Sequence, residues 1–116
     1  MFNPDDFWQL AVSLLGQESV PESHCRTAAS RAYYAFFLTV RDQMPSFQPQ
    51  HNAADHGRVM AELRRRNRGA LAEALRRLRT MRETADYNLG VSVTQFQVDR
   101  IMTLTAVQYQ NAKRLR

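Results

Sequence analysis

Ser30-Arg31-Ala32-Tyr33-Tyr34-Ala35-Phe36-Phe37 is the stretch on which the fold turns. At about 100° per residue, Tyr33, Phe36 and Phe37 share one helical face with Ala29, Val40 and Met44. Ala28, Ala35 and Leu38 share the opposite side, beside Arg31. A helix that is apolar on two faces, with alanines that permit close approach, belongs at the centre of a bundle or between two copies of a chain. Pro21 opens this helix. Met44-Pro45-Ser46-Phe47-Gln48-Pro49 cannot continue it, because proline removes an N–H and biases the preceding residue away from the α region. The periodicity predicts a helix over 21–44.

The same period recurs on both sides. Upstream, Phe7, Leu10, Ala11, Leu14 and Leu15 define an apolar stripe over about 5–17, with Asp5 and Asp6 at its positive end. Downstream of a loop over 45–54, Val59, Met60 and Leu63 point inward from a short helix that Asn67-Arg68-Gly69 breaks. Leu71, Ala74, Leu75, Leu78, Met81, Ala85 and Leu89 mark a fourth helix over 70–89, ended by Gly90. A fifth helix, carrying Val98, Ile101, Met102, Ala106, Tyr109 and Ala112, has Thr94 as its N-cap. No strand-type alternation appears. The pattern predicts one all-α domain over 1–116, a four- to five-helix up-and-down bundle. A chain of 116 residues is long enough to bury about two-thirds of its unfolded surface without disulfide or metal.

Charge is informative in its placement. Nine arginines fall between Arg58 and Arg82 against Glu62 and Glu73, a local balance of +7, whereas the rest of the chain carries seven basic and nine acidic residues, a balance of −2. All but one of the basic residues are arginine, the side chain suited to bidentate phosphate contact. No run approaches the ~18 apolar residues of a membrane span. The N-terminal Asn3-Pro4-Asp5-Asp6 lacks the pattern of a secretory leader, and Cys25 stands alone. Together these give a cytoplasmic expectation without a membrane partner.

Within the fourth helix, Arg82 lies with the leucine stripe and apart from Arg76 and Arg77. A buried guanidinium needs a carboxylate, carbonyls or a wet cleft, and Asp86, one turn on, is the partner within reach. Two readings follow: a structural Arg82–Asp86 brace, or an arginine steadied by Asp86 and presented to a phosphate, with Arg76, Arg77 and Arg79 adding charge. Tyr87 projects away from that stripe on an ideal wheel. His51, Asp55 and His56 straddle a loop–helix junction without a further ligand, so no metal or other cofactor is expected. Cys25 reads as a small buried hydrophobe.

Ser30 through Phe37 resembles the central helix of the HEPN domains. Leu75 through Arg82-Glu83-Thr84-Ala85-Asp86-Tyr87 resembles their arginine-bearing helix, and His56-Gly57-Arg58-Val59 matches the start of their middle helix. The resemblance implies a dimerising helical bundle. It also implies a family whose active members cleave RNA without metal through an Arg followed, four to six residues on, by a His, often as toxins paired with a nucleotidyltransferase or as defence effectors. Here Asn88 stands six residues after Arg82, and asparagine cannot move a proton near neutral pH. With Arg82 and Asn88 as the only catalytic candidates, the expectation is a non-catalytic homodimeric module whose partner is RNA, a nucleotide or a nucleotidyltransferase-like protein. The alternative is a divergent metal-independent ribonuclease in which His24 or His56 replaces the missing imidazole.

Overall fold

The computed structural model describes residues 1–115 and shows an all-α bundle of five helices: α1 (Asp5–Leu15), α2 (Glu22–Asp42), α3 (Ala54–Arg65), α4 (Gly69–Tyr87) and α5 (Gln95–Ala112). Among the described residues there is no strand, and no helix is long and apolar enough to cross a membrane.

α2 is the hub, packed against each of the other four helices. Tyr33, Phe36 and Val40 are fully buried on one face, each contributing about 1.5–3 kcal/mol by leaving water. Ala28 and Ala35 are equally buried on the other, whereas Leu38 and Arg31 beside them are partly exposed, so the chain's own helices cover most but not all of the surface that the sequence offered to a second copy.

Helix ends follow local chemistry. Thr94 caps α5 through a reciprocal box: its hydroxyl accepts from Gln97 N at 3.2 Å, and Gln97 Oε1 accepts from Thr94 N at 3.1 Å. The left-handed Asn67 (φ 59°) turns the chain between α3 and α4, and Gly69 begins α4 rather than breaking α3. Likewise α4 stops before Asn88, so Leu89 is exposed instead of continuing the stripe, and Gly90 lies beyond the cap.

The stripe of α1 is rotated from the expected one. Trp8, Ala11 and Leu15 are buried, whereas Leu10 is exposed and Phe7 and Leu14 only partly covered. The cause is Tyr109 of α5, on whose ring the Trp8 indole stacks at 4.1 Å.

Candidate functional site

Arg82 faces α2, as its register requires, and is 8% exposed. Its guanidinium carbon lies 5.4 Å from the ring centre of Tyr33, 5.5 Å from Tyr34 and 5.7 Å from Tyr87. On the far side of Tyr34, at 5.3 Å, comes Arg31, which also lies 4.7 Å from the Phe7 ring of α1. Arginines and aromatics thus alternate from α1 across α2 to α4, each contact worth about 0.5–2 kcal/mol.

Three aromatic rings surround the Arg82 guanidinium, yet its N–H donors are sparsely met. Asp86 Oδ2 sits 3.7 Å from Nη1, an ion pair without a hydrogen bond. Tyr87 Oη accepts from Nη1 at 3.5 Å, and the buried Nε has no partner. Asp86 is shared with α2, accepting from Ser30 Oγ at 3.3 Å, and Arg31 Nη2 donates to that same Ser30 oxygen at 3.2 Å.

α3 adds His56. Its ring stacks on Phe37 at 4.5 Å, and its Nδ1 is hydrogen-bonded to the hydroxyl of the fully buried Tyr33. Arg82 and His56 therefore both meet Tyr33, the first against its ring and the second at its hydroxyl. Burial lowers the His56 imidazole below its ordinary value, the positive charges of Arg79 and Arg82 add to this, and Asp55 and Glu83 oppose it. Burial raises the Tyr33 phenol, against the pull of Arg79 and Arg82, so Tyr33 stays protonated.

The structure separates residues that the sequence grouped. Arg79, ion-paired with Glu83 at 3.1 Å, acts electrostatically on Tyr33 and His56 beside Arg82. Arg76 and Arg77 bind Glu73 at 2.6 and 3.4 Å and line a groove on the side of α4 that meets α5. Asn88 is occupied in its own turn, its Oδ1 accepting from Gly90 N at 3.2 Å, and it makes no hydrogen bond to Arg82. Tyr87 is exposed, as its wheel position expects, yet as the last residue of α4 it also touches Arg82, its ring centre 5.7 Å from the guanidinium carbon.

Asp55 is a loop brace. Its buried carboxylate accepts from the N–H groups of Gln50 and His51 and from Arg58. Burial pushes its carboxyl upward, but those three donors outweigh burial and hold it below the usual value. Among the described residues no group of three or more His, Cys, Asp and Glu side chains could hold a metal ion. Cys25 is buried, and burial raises its thiol, with Glu22 and Asp99 adding to the shift.

Fold and site together define a small helical bundle with an arginine–tyrosine–histidine cluster where α2, α3 and α4 meet. The chain is similar to the uncharacterized protein MJ0992 of Methanocaldococcus jannaschii, 27% identical over 142 aligned residues that span 97% of this chain and 80% of the relative. No protein-family model and no solved structure matches the chain.

Proposed function

We propose that this protein is a HEPN-type helical module that binds a phosphate-bearing ligand, RNA or a nucleotide, without cleaving it. In this reading it serves as the regulatory or binding member of a toxin–antitoxin or defence pair. The observation that carries the reading is Arg82: a buried guanidinium lying against tyrosine rings, with a loose ion pair and an unpartnered Nε. Tyr87 and Asp86, the side chains that meet the guanidinium at Nη1, are both exposed. Arg79 flanks the contact, and the remaining arginines supply long-range attraction. The pair of Arg82 and Asn88 offers no proton-transfer group.

A labelled single-stranded RNA and a labelled ATP, titrated with the full chain in chelator, test this by fluorescence anisotropy. Binding is expected to weaken as salt rises, to fall about tenfold in Arg82→Met through loss of one charge-assisted contact of about 1.5 kcal/mol, and to be only partly restored in Arg82→Lys. Binding indifferent to salt and to both variants would overturn the proposal.

A second reading keeps the ribonuclease alternative, because His56 and Arg82 both contact Tyr33. Cleavage of the same RNA in chelator, abolished by both Arg82→Met and His56→Gln, would establish it in place of the first.

A further inference from the structure

Away from the Arg82 cluster, an open groove of about 480 Å³ runs between α4 and α5. Met81, Val93 and Ile101 give it an apolar floor, and Phe96, the second residue of α5, stands at its edge 72% exposed. Its basic residues come from both helices: Arg76 and Arg77 from α4 and Arg100 from α5. No acidic residue lines it. Glu73, outside the groove, answers part of the charge of Arg76 and Arg77, whereas Arg100 takes part in no ion pair among the described residues.

A large exposed aromatic beside an apolar trough, with cations and no anions around it, is complementary to a surface that is apolar in the middle and acidic at its flanks. We propose that the α4–α5 groove seats an acidic amphipathic segment of a protein partner. Its apolar side chains, one helical turn apart, would rest on Met81, Ile101 and Phe96, and its carboxylates would meet Arg77 and Arg100. Nucleic acid fits this surface less well. A single exposed aromatic is a poor platform for successive bases, and although Arg76, Arg77 and Arg100 could meet phosphates, a sugar-phosphate backbone would leave the apolar floor of Met81, Val93 and Ile101 without a partner. The assignment is independent of the Arg82 reading, since Arg82 lies on another side of α4.

The probe is a fluorescein-labelled peptide of about 16 residues, with leucines at i, i+3 and i+7 and glutamates between them. A matched peptide with lysine for glutamate, and a single-stranded RNA, serve as comparisons, all titrated with the full chain by anisotropy. The acidic peptide is expected to bind at least tenfold more tightly than the basic one. Phe96→Ser and Arg100→Glu should each weaken the acidic peptide about tenfold, and Arg100→Glu should improve binding of the basic peptide; a tenfold loss corresponds to about 1.4 kcal/mol. Both positions are exposed, and unchanged far-UV circular dichroism verifies that the variants fold. Arg82→Met should leave the peptide affinity intact, which keeps this test apart from the phosphate-binding one. Equal binding of the two peptides, or indifference to both groove variants, would overturn the assignment. So would RNA binding that needs Arg100 while the acidic peptide fails to bind, or dissociation of a dimer by Phe96→Ser without peptide binding, which would give the face to nucleic acid or to a second copy.

Discussion

At the scale of single residues, the Arg82 cluster couples charge to protonation. His56 is held neutral by burial and by Arg79 and Arg82, with Asp55 and Glu83 opposing. A histidine whose folded pKa lies below its unfolded value of about 6.5 leaves the unfolded state with more bound protons in that window. Its stabilising effect is therefore complete above about pH 6.5 and is lost as pH falls toward the lowered value. Urea midpoints followed from pH 7.5 to 5 should decline with a slope no steeper than about 1.4 kcal/mol per pH unit, the limit for one proton. His56→Gln should flatten that decline, and a slope unchanged in the variant would show that the imidazole is not its source. The carboxylates held low by their partners, Glu73 at about 2 among them, act at lower pH and leave this window clear. Arg82's inward direction was legible from its register with the leucines. The Tyr33–His56 bond was not, because it joins α2 to α3 across a proline-rich loop whose path no local period specifies. The contact of the exposed Tyr87 with Arg82 was hidden for another reason: a wheel fixes where Cα–Cβ points, while a long side chain at a helix end can swing back.

At the scale of elements, α4 holds Arg82, Asp86 and Tyr87, and its C-terminal end depends on one side chain from α2. Arg26 Nη1 donates to the carbonyl oxygens of Thr84, Ala85 and Asn88 at 3.3, 2.9 and 3.2 Å, and its Nη2 donates to Val91 O. A cation here answers both the unpaired carbonyls and the negative end of the helix. Arg26 also pairs with Glu22, one turn earlier on α2, at 2.8 Å. Its reach to residues about sixty positions away follows only from the crossing of α2 and α4. Arg26→Met should destabilise the protein by about 2–3 kcal/mol, the scale of losing hydrogen bonds from a charged donor, and speed exchange of the Asn88 amide bonded to Thr84 O. Arg26→Lys keeps the charge without the planar fork, so it should recover roughly half. A denaturation midpoint unmoved in Arg26→Met would dismiss the cap. The five elements themselves were readable within a few residues, since proline, glycine and the 3.6-residue period speak locally. The rotation of α1 was not, because the Trp8–Tyr109 stack joins the first helix to the last.

At the scale of the whole molecule, the bundle leaves little of its central helix for association, yet apolar side chains remain outside. Leu104 and Val107, 52% and 69% exposed, form a ridge along α5. Val12 of α1, 49% exposed, lines a shallow groove with Thr103 and Ala106 of the same helix α5. Such a contiguous apolar ridge marks an association surface more readily than scattered hydrophobic residues do. We propose that the dimer expected from the sequence forms through this outer face of α5 rather than through the alanine face of α2. Sedimentation at micromolar concentration should give a dimer for the native chain and a monomer for the double variant Leu104→Glu with Val107→Glu. Two buried like charges facing their symmetry mates across a two-fold interface cannot both be accommodated. Because both positions are exposed in the single chain, the variant should keep its thermal midpoint at low protein concentration, where only the monomer is populated. A native chain that sediments as a monomer would remove the interface, and a dimer persisting in the double variant would place it elsewhere.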